Sequence, residues 1–129
     1  MPKRTPEELA ALLARKAEED ATAVRELVAN PEIADGIIGF HAQQAIEKWL
    51  KAVMALRGMR QTRIHDINRL SELLEENGAE LPTARDRLDE LTIYAVPLRY
   101  DELLDAEPLD RAATVELMDG VGRWAKAQL

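Results

Sequence analysis

Apolar residues recur at three- and four-residue steps along most of the chain, and no stretch alternates convincingly with a period of two. The pattern predicts helices and no strands. The first helix starts at Thr5, a good N-cap, with Pro6 in the first helical position and Glu8 completing a capping box. Its stripe is Leu9, Leu13, Ala17, Val24, Leu27 and Val28, and Asn30-Pro31 ends it. Asn30 is then expected to cap a second helix, with Pro31 in its first turn. That helix carries the stripe Ile38, Ala42, Ala45, Ile46, Trp49, Leu50, Val53 and Met54. It runs to about Arg57, and Gly58 suits the left-handed position just past its end. On its opposite side Gln43, Glu47 and Lys51 follow one another at four-residue spacing, with Gln44 and Lys48 beside them. Gly36 and Gly39 weaken its first half, either for close packing or for a break.

Residues 58–64 read as a basic loop. A third helix covers Asp66 to Glu76, with Ile67, Leu70, Leu73 and Leu74 inward and Asn77-Gly78 as its stop. A fourth opens with Thr83 as cap, buries Leu88, Leu91 and Tyr94 or Ala95, and is ended or kinked by Pro97. After a polar connector over residues 98–107, Pro108 opens a fifth helix. Its expected inward stripe is Ala113, Leu117, Val121 and Trp124 or Ala125, with Gly120 and Gly122 allowing a neighbour close. Five helices on short links predict an all-α, up-and-down bundle, one domain over residues 1–129. Trp49 and Trp124, at helical positions, are read as core.

Composition narrows the classes. The chain has no cysteine, so disulfides, thiolate nucleophiles and cysteine-based metal sites are excluded. The N-terminal residues lead into a charged helix, and no apolar run approaches the roughly 20 residues of a membrane span. A soluble, cytoplasmic protein without membrane contact is expected. The net charge of −7 argues against a general nucleic-acid coat. The charge is uneven, however. Residues 37–70 hold six basic and two acidic side chains, a basic island of Lys48, Lys51, Arg57, Arg60, Arg63 and Arg69. It can draw in a phosphate or an RNA backbone, or it can pair with acidic neighbours on other helices.

Several residues carry candidate chemistry. Arg99, Tyr100 and Asp101 follow a proline where the chain leaves a helix. A guanidinium fork there suits phosphate and a tyrosine can stack on a base; alternatively, Arg99 pairs with a structural carboxylate. Asp66 is the expected cap of the third helix, and His65 beside it is either an acid–base group or a histidine satisfied by a backbone carbonyl. On the second helix, Gln44 can read a base edge while Lys48 or Lys51 holds phosphate. The plainer reading makes Glu47 and Lys51 an ordinary helical pair, and a polar network at a dimer interface is a third. His41 has no obvious partner in sequence. No metal and no cofactor are expected: His41 and His65 are the only histidines, and Gly36 and Gly39 lack the Gly-Lys-Ser/Thr ending of a phosphate loop.

Three stretches, in order, resemble one family. The run from Gly39 to Ala52 is similar to the signature helix of the HEPN domains. Thr62-Arg63-Ile64-His65-Asp66-Ile67 resembles their His-Asp step before the next helix, and Leu98-Arg99-Tyr100-Asp101 resembles their Arg-Tyr pair. The likeness covers most of residues 33 to 128. It implies a HEPN-like helical bundle, commonly a homodimer, that binds a nucleotide or RNA. The nucleotide- or RNA-binding residues it suggests are Gln44, Lys48, Lys51, His65, Arg99, Tyr100 and Asp101. It also implies frequent pairing with a minimal nucleotidyltransferase in a toxin–antitoxin-like module. HEPN ribonucleases carry an Arg, four to six residues, then a His. Arg60 and His65 have that spacing but precede the third helix, whereas Arg99 is followed by Leu103, Leu104, Asp105 and Ala106 where the His would fall. Binding without catalysis is therefore the leading expectation. A metal-independent endoribonuclease using Arg60, His65 or Arg99 is the alternative, and a non-catalytic protein-interaction module the second alternative.

Overall fold

The computed structural model describes residues 3–95 and 108–129. Among them are helices α1 (Pro6–Leu27), α2 (Asp35–Leu56), α3 (Ile67–Glu76), α4 (Arg85–Asp89) and α5 (Arg111–Lys126), a 3₁₀ turn at Thr92–Tyr94 and no strand. The all-helical bundle expected from the stripes is the observed fold.

Helix α1 begins where its signals lie. The Thr5 hydroxyl accepts from the Glu8 amide at 3.1 Å and the Glu8 carboxylate accepts from the Thr5 amide at 3.0 Å. These bonds satisfy amides that have no partner within the helix. Helix α2 folds back antiparallel on α1: Ala10 clusters with Ala52 and Ala55, while Asp20 meets His41 and Lys48. Asn30 does not cap α2. Its side chain accepts from the Glu32 amide at 2.9 Å, closing a local turn, and α2 starts later, at Asp35, behind Ala34. A more distant residue fixes this corner. Arg111, the first residue of α5, donates to the carbonyls of Val28, Asn30 and Ile33 and to the Asp35 carboxylate.

Helix α2 is central, packing against α1, α3, the 3₁₀ turn and α5. Ile38, Ala42, Ala45, Ile46, Trp49, Leu50 and Val53 are wholly buried, joined by Val24, Ile67, Leu70, Leu74, Leu88 and Met118 from the other helices. Each large side chain so buried contributes about 1.5–3 kcal/mol. Two glycines admit aromatic rings into this core. A Cβ on Gly39 would lie 2.4 Å from Tyr94 Cγ, and one on Gly122 would lie 2.7 Å from Trp49 Cη2.

Four further expectations change. Helix α4 starts behind Ala84 with no side-chain cap, so Thr83 does not cap it. Helix α5 is capped by Asp110, whose carboxylate accepts from the Ala113 amide at 3.0 Å, and Pro108 precedes the helix. Its buried face is Thr114, Met118, Val121, Gly122 and Ala125, rotated from the expected Ala113 and Leu117. Trp49 is core, whereas Trp124 is half-buried and donates to the Glu80 carbonyl at 2.9 Å. No helix among the described residues is long and apolar enough to cross a membrane.

Candidate functional site

The row Gln43, Glu47, Lys51 lies one turn apart along α2, so its three side chains share a face. That face is covered: all three residues are buried. It looks toward the connection between α2 and α3, and the row holds that connection in place. Glu47 is the hub. Its Oε2 accepts from Lys51 Nζ at 3.0 Å and from His65 Nδ1 at 2.9 Å. Gln43 Nε2 donates to the His65 carbonyl at 2.9 Å, and Gln44 Nε2 braces Gln43 Oε1 at 2.9 Å. Buried charge is tolerated here because each charged group has an opposite partner.

The connection adds local order of its own. Thr62 Oγ1 accepts from the Ile64 amide at 3.0 Å, and Asp66 caps α3 by accepting from the Asn68 amide at 2.9 Å. His65 is thereby fixed through its carbonyl and its ring, yet its side chain is 69% exposed while that of Glu47 is only 5% exposed. An ionised carboxylate can only accept, so Nδ1 carries a hydrogen and the other ring nitrogen, Nε2, is left for an outside group. Arg60 and Arg63 are exposed on the same connection and make no ion pair among the described residues.

The remaining basic residues of the island are engaged. Lys48 pairs with Asp20 of α1, which also takes His41 Nδ1 at 3.0 Å. Lys51 is spent on Glu47. Arg57 bonds the side chain and carbonyl of Asn77, and Arg69 pairs with Glu72. Of the expected binding residues, His65 faces solvent, Gln44 acts as a brace, and Lys48 and Lys51 are held in ion pairs. Arg60 shares the connection with His65. Arg99, Tyr100 and Asp101 lie outside the described residues. Glu47 and Gln43 were not among the expected site residues, although their four-residue spacing with Lys51 was the available signal. Among the described residues no cluster of three His, Asp or Glu side chains is placed to hold a metal.

An all-helical bundle with a polar row on its central helix and a histidine-bearing connection defines a small helical module. The HEPN domain model matches residues 10–128, and the chain belongs to that family. Membership supports a nucleotide- or RNA-related module at the level of the family. Neither the curated proteins nor the solved structures compared gave a match.

Proposed function

We propose that this chain is a HEPN-type module that binds a nucleotide or RNA through the α2–α3 connection. One observation carries the reading: buried Glu47 holds His65 Nδ1 at 2.9 Å while the ring stays 69% exposed. An imidazole oriented this way offers Nε2 to a ligand hydroxyl or base edge, and Arg60 and Arg63 supply guanidinium groups suited to phosphate. Arg99, Tyr100 and Asp101 are proposed to complete the contact. Gln44, Lys48 and Lys51 support it from behind and do not touch the ligand. By family likeness the chain works as a cytoplasmic homodimer beside a minimal nucleotidyltransferase in a toxin–antitoxin-like pair.

The test is thermal unfolding of the protein with ATP, GTP, AMP and short RNA, with EDTA present. A ligand at 100 times its dissociation constant adds about 2.7 kcal/mol of stability. A shift that survives in wild type and is lost in His65→Ala and Arg60→Ala supports the site. No shift with any of the four ligands sinks it.

A second reading is a metal-independent endoribonuclease, favoured by the Glu47–His65 bond itself. A carboxylate behind an imidazole is the arrangement a general base uses, here to take the ribose 2′-hydroxyl proton while Arg60 faces the phosphate. Cleavage that resists EDTA and vanishes in His65→Ala would establish it; intact RNA after prolonged incubation would exclude it.

A further inference from the structure

A cavity lies away from the α2–α3 connection, between α4 and α5. It has a volume of about 210 Å³. Arg87 of α4 and Arg123 of α5 stand on its walls with Glu116, and Leu117, Gly120 and Val121 contribute from α5. Glu116, Gly120 and Arg123 are spaced so that they share one face of α5, with Leu117 and Val121 beside them.

Two features set this cavity apart from ordinary surface relief. The first is a pair of arginines on its walls that make no ion pair among the described residues. Arg25, Arg69, Arg85 and Arg111 all lie in ion pairs, and Lys126 of the same helix pairs with Glu18. Among the described residues neither Arg87 nor Arg123 has a carboxylate within ion-pair distance, although both line one cavity. The second is Gly120. Glycine inside a helix is unfavourable relative to other residues. Gly39 and Gly122 are explained by aromatic rings pressed against them, but a Cβ on Gly120 would meet nothing nearer than Arg123 Nη2 at 3.9 Å. Packing does not require this glycine. Its missing side chain leaves room in the cavity beside the arginine.

We propose that this cavity is a binding site for a small phosphorylated hydroxy compound. The two guanidinium groups take the phosphate oxygens by charge-assisted hydrogen bonds. Glu116 can only accept, so it selects a ligand with a hydroxyl beside the phosphate. Leu117 and Val121 cover the carbon skeleton. The site uses none of the residues of the α2–α3 connection and stands whether or not that connection binds nucleotide.

The experiment is two-dimensional NMR of the labelled full chain titrated with inorganic phosphate, glycerol phosphate and glycerol. Glycerol phosphate is expected to give saturable shifts over residues 82–87 and 116–123 at millimolar concentrations. Inorganic phosphate is expected to bind there several-fold more weakly and glycerol not at all. Arg123→Gln removes a cation from an exposed position and should weaken binding about tenfold, the loss of one charge-assisted contact. Gly120→Leu fills the cavity while improving helix propensity, so it should keep or raise the melting temperature and abolish binding. Unsaturable shifts, shifts confined to the α2–α3 connection, or equal binding by folded Gly120→Leu would each overturn the proposal.

Discussion

Glu47 and His65 are joined by a 2.9 Å hydrogen bond that runs from the bundle interior to its surface. The two ends differ in what they do for the fold. Glu47 also holds Lys51, whereas His65 contributes little buried area. His65→Ala should therefore change unfolding free energy by less than about 1 kcal/mol, the scale of exposed pairs. It should nevertheless remove ligand-induced stabilisation. Urea unfolding with and without ligand separates these effects. Equal loss of stability in both conditions would assign His65 a structural role alone.

Lys51 gives the opposite profile. Its ammonium is buried against Glu47 at 3.0 Å. Lys51→Met keeps most of the side-chain volume but strips the main countercharge from a buried carboxylate. A cost of about 3–5 kcal/mol is expected. Replacing both partners, with Glu47→Gln added, should restore much of the loss, since the pair as a unit is worth less than either orphaned charge costs. Denaturant midpoints of the two single variants and the double variant measure this. A double variant as unstable as Lys51→Met would show that the charge is not the issue.

The packing of Trp49 on Gly122 yields a steric prediction. A methyl group at Gly122 would overlap the indole at 2.7 Å from Cη2, and Trp49 is completely buried. Overpacking of this kind costs about 1–3 kcal/mol, offset by a helix gain from glycine to alanine of up to about 1 kcal/mol. Gly122→Ala should thus lower the melting temperature despite improving helix propensity. An unchanged or higher melting temperature would mean that the ring moves aside freely.

Local signals made much of this fold legible in the sequence. The Thr5–Glu8 box, the Asp66 cap and the left-handed glycines Gly58 and Gly78 all sit where their chemistry places them. Signals with two local outcomes were less decisive. Asn30 can cap a helix or close a turn, and the Arg111 guanidinium holds the corner in the second form from 81 residues away. In α5 the choice between the Ala113–Leu117 face and the Thr114–Met118 face depends on how the helix rests on α2, since both faces carry apolar residues. The same limit applied to the site. Gln43, Glu47 and Lys51 read as a polar row on the side opposite the apolar stripe, open to a ligand contact, an ordinary helical ion pair or a network at a dimer interface. The residue that meets them from the connection, His65, reaches Glu47 across 18 positions of chain. Polar spacing showed that the three side chains share a face, but not what covers it.

A pH-dependent contribution comes from the α1–α5 surface. Glu18 is held below the usual carboxylate range chiefly by its hydrogen bond to Lys126, against the opposing effect of burial, with a further bond from Arg25. Arg25 bridges onward to Asp119 at 2.8 Å, so the charges tie the two helices together. The folded state therefore releases the Glu18 proton more readily than the unfolded chain, whose carboxyl titrates at the ordinary value of 4.5. The resulting stability is fully present above that value and is lost as pH falls through the lower folded one. Because the pair is substantially exposed, its contribution should stay under about 1 kcal/mol and shrink in high salt. Glu18→Gln should be less stable than wild type at neutral pH, and the two should converge in acid once the pH has fallen below the lowered folded value. Urea midpoints of both proteins across that range give the comparison. A gap that persists at the acid end would point to lost packing in place of lost charge.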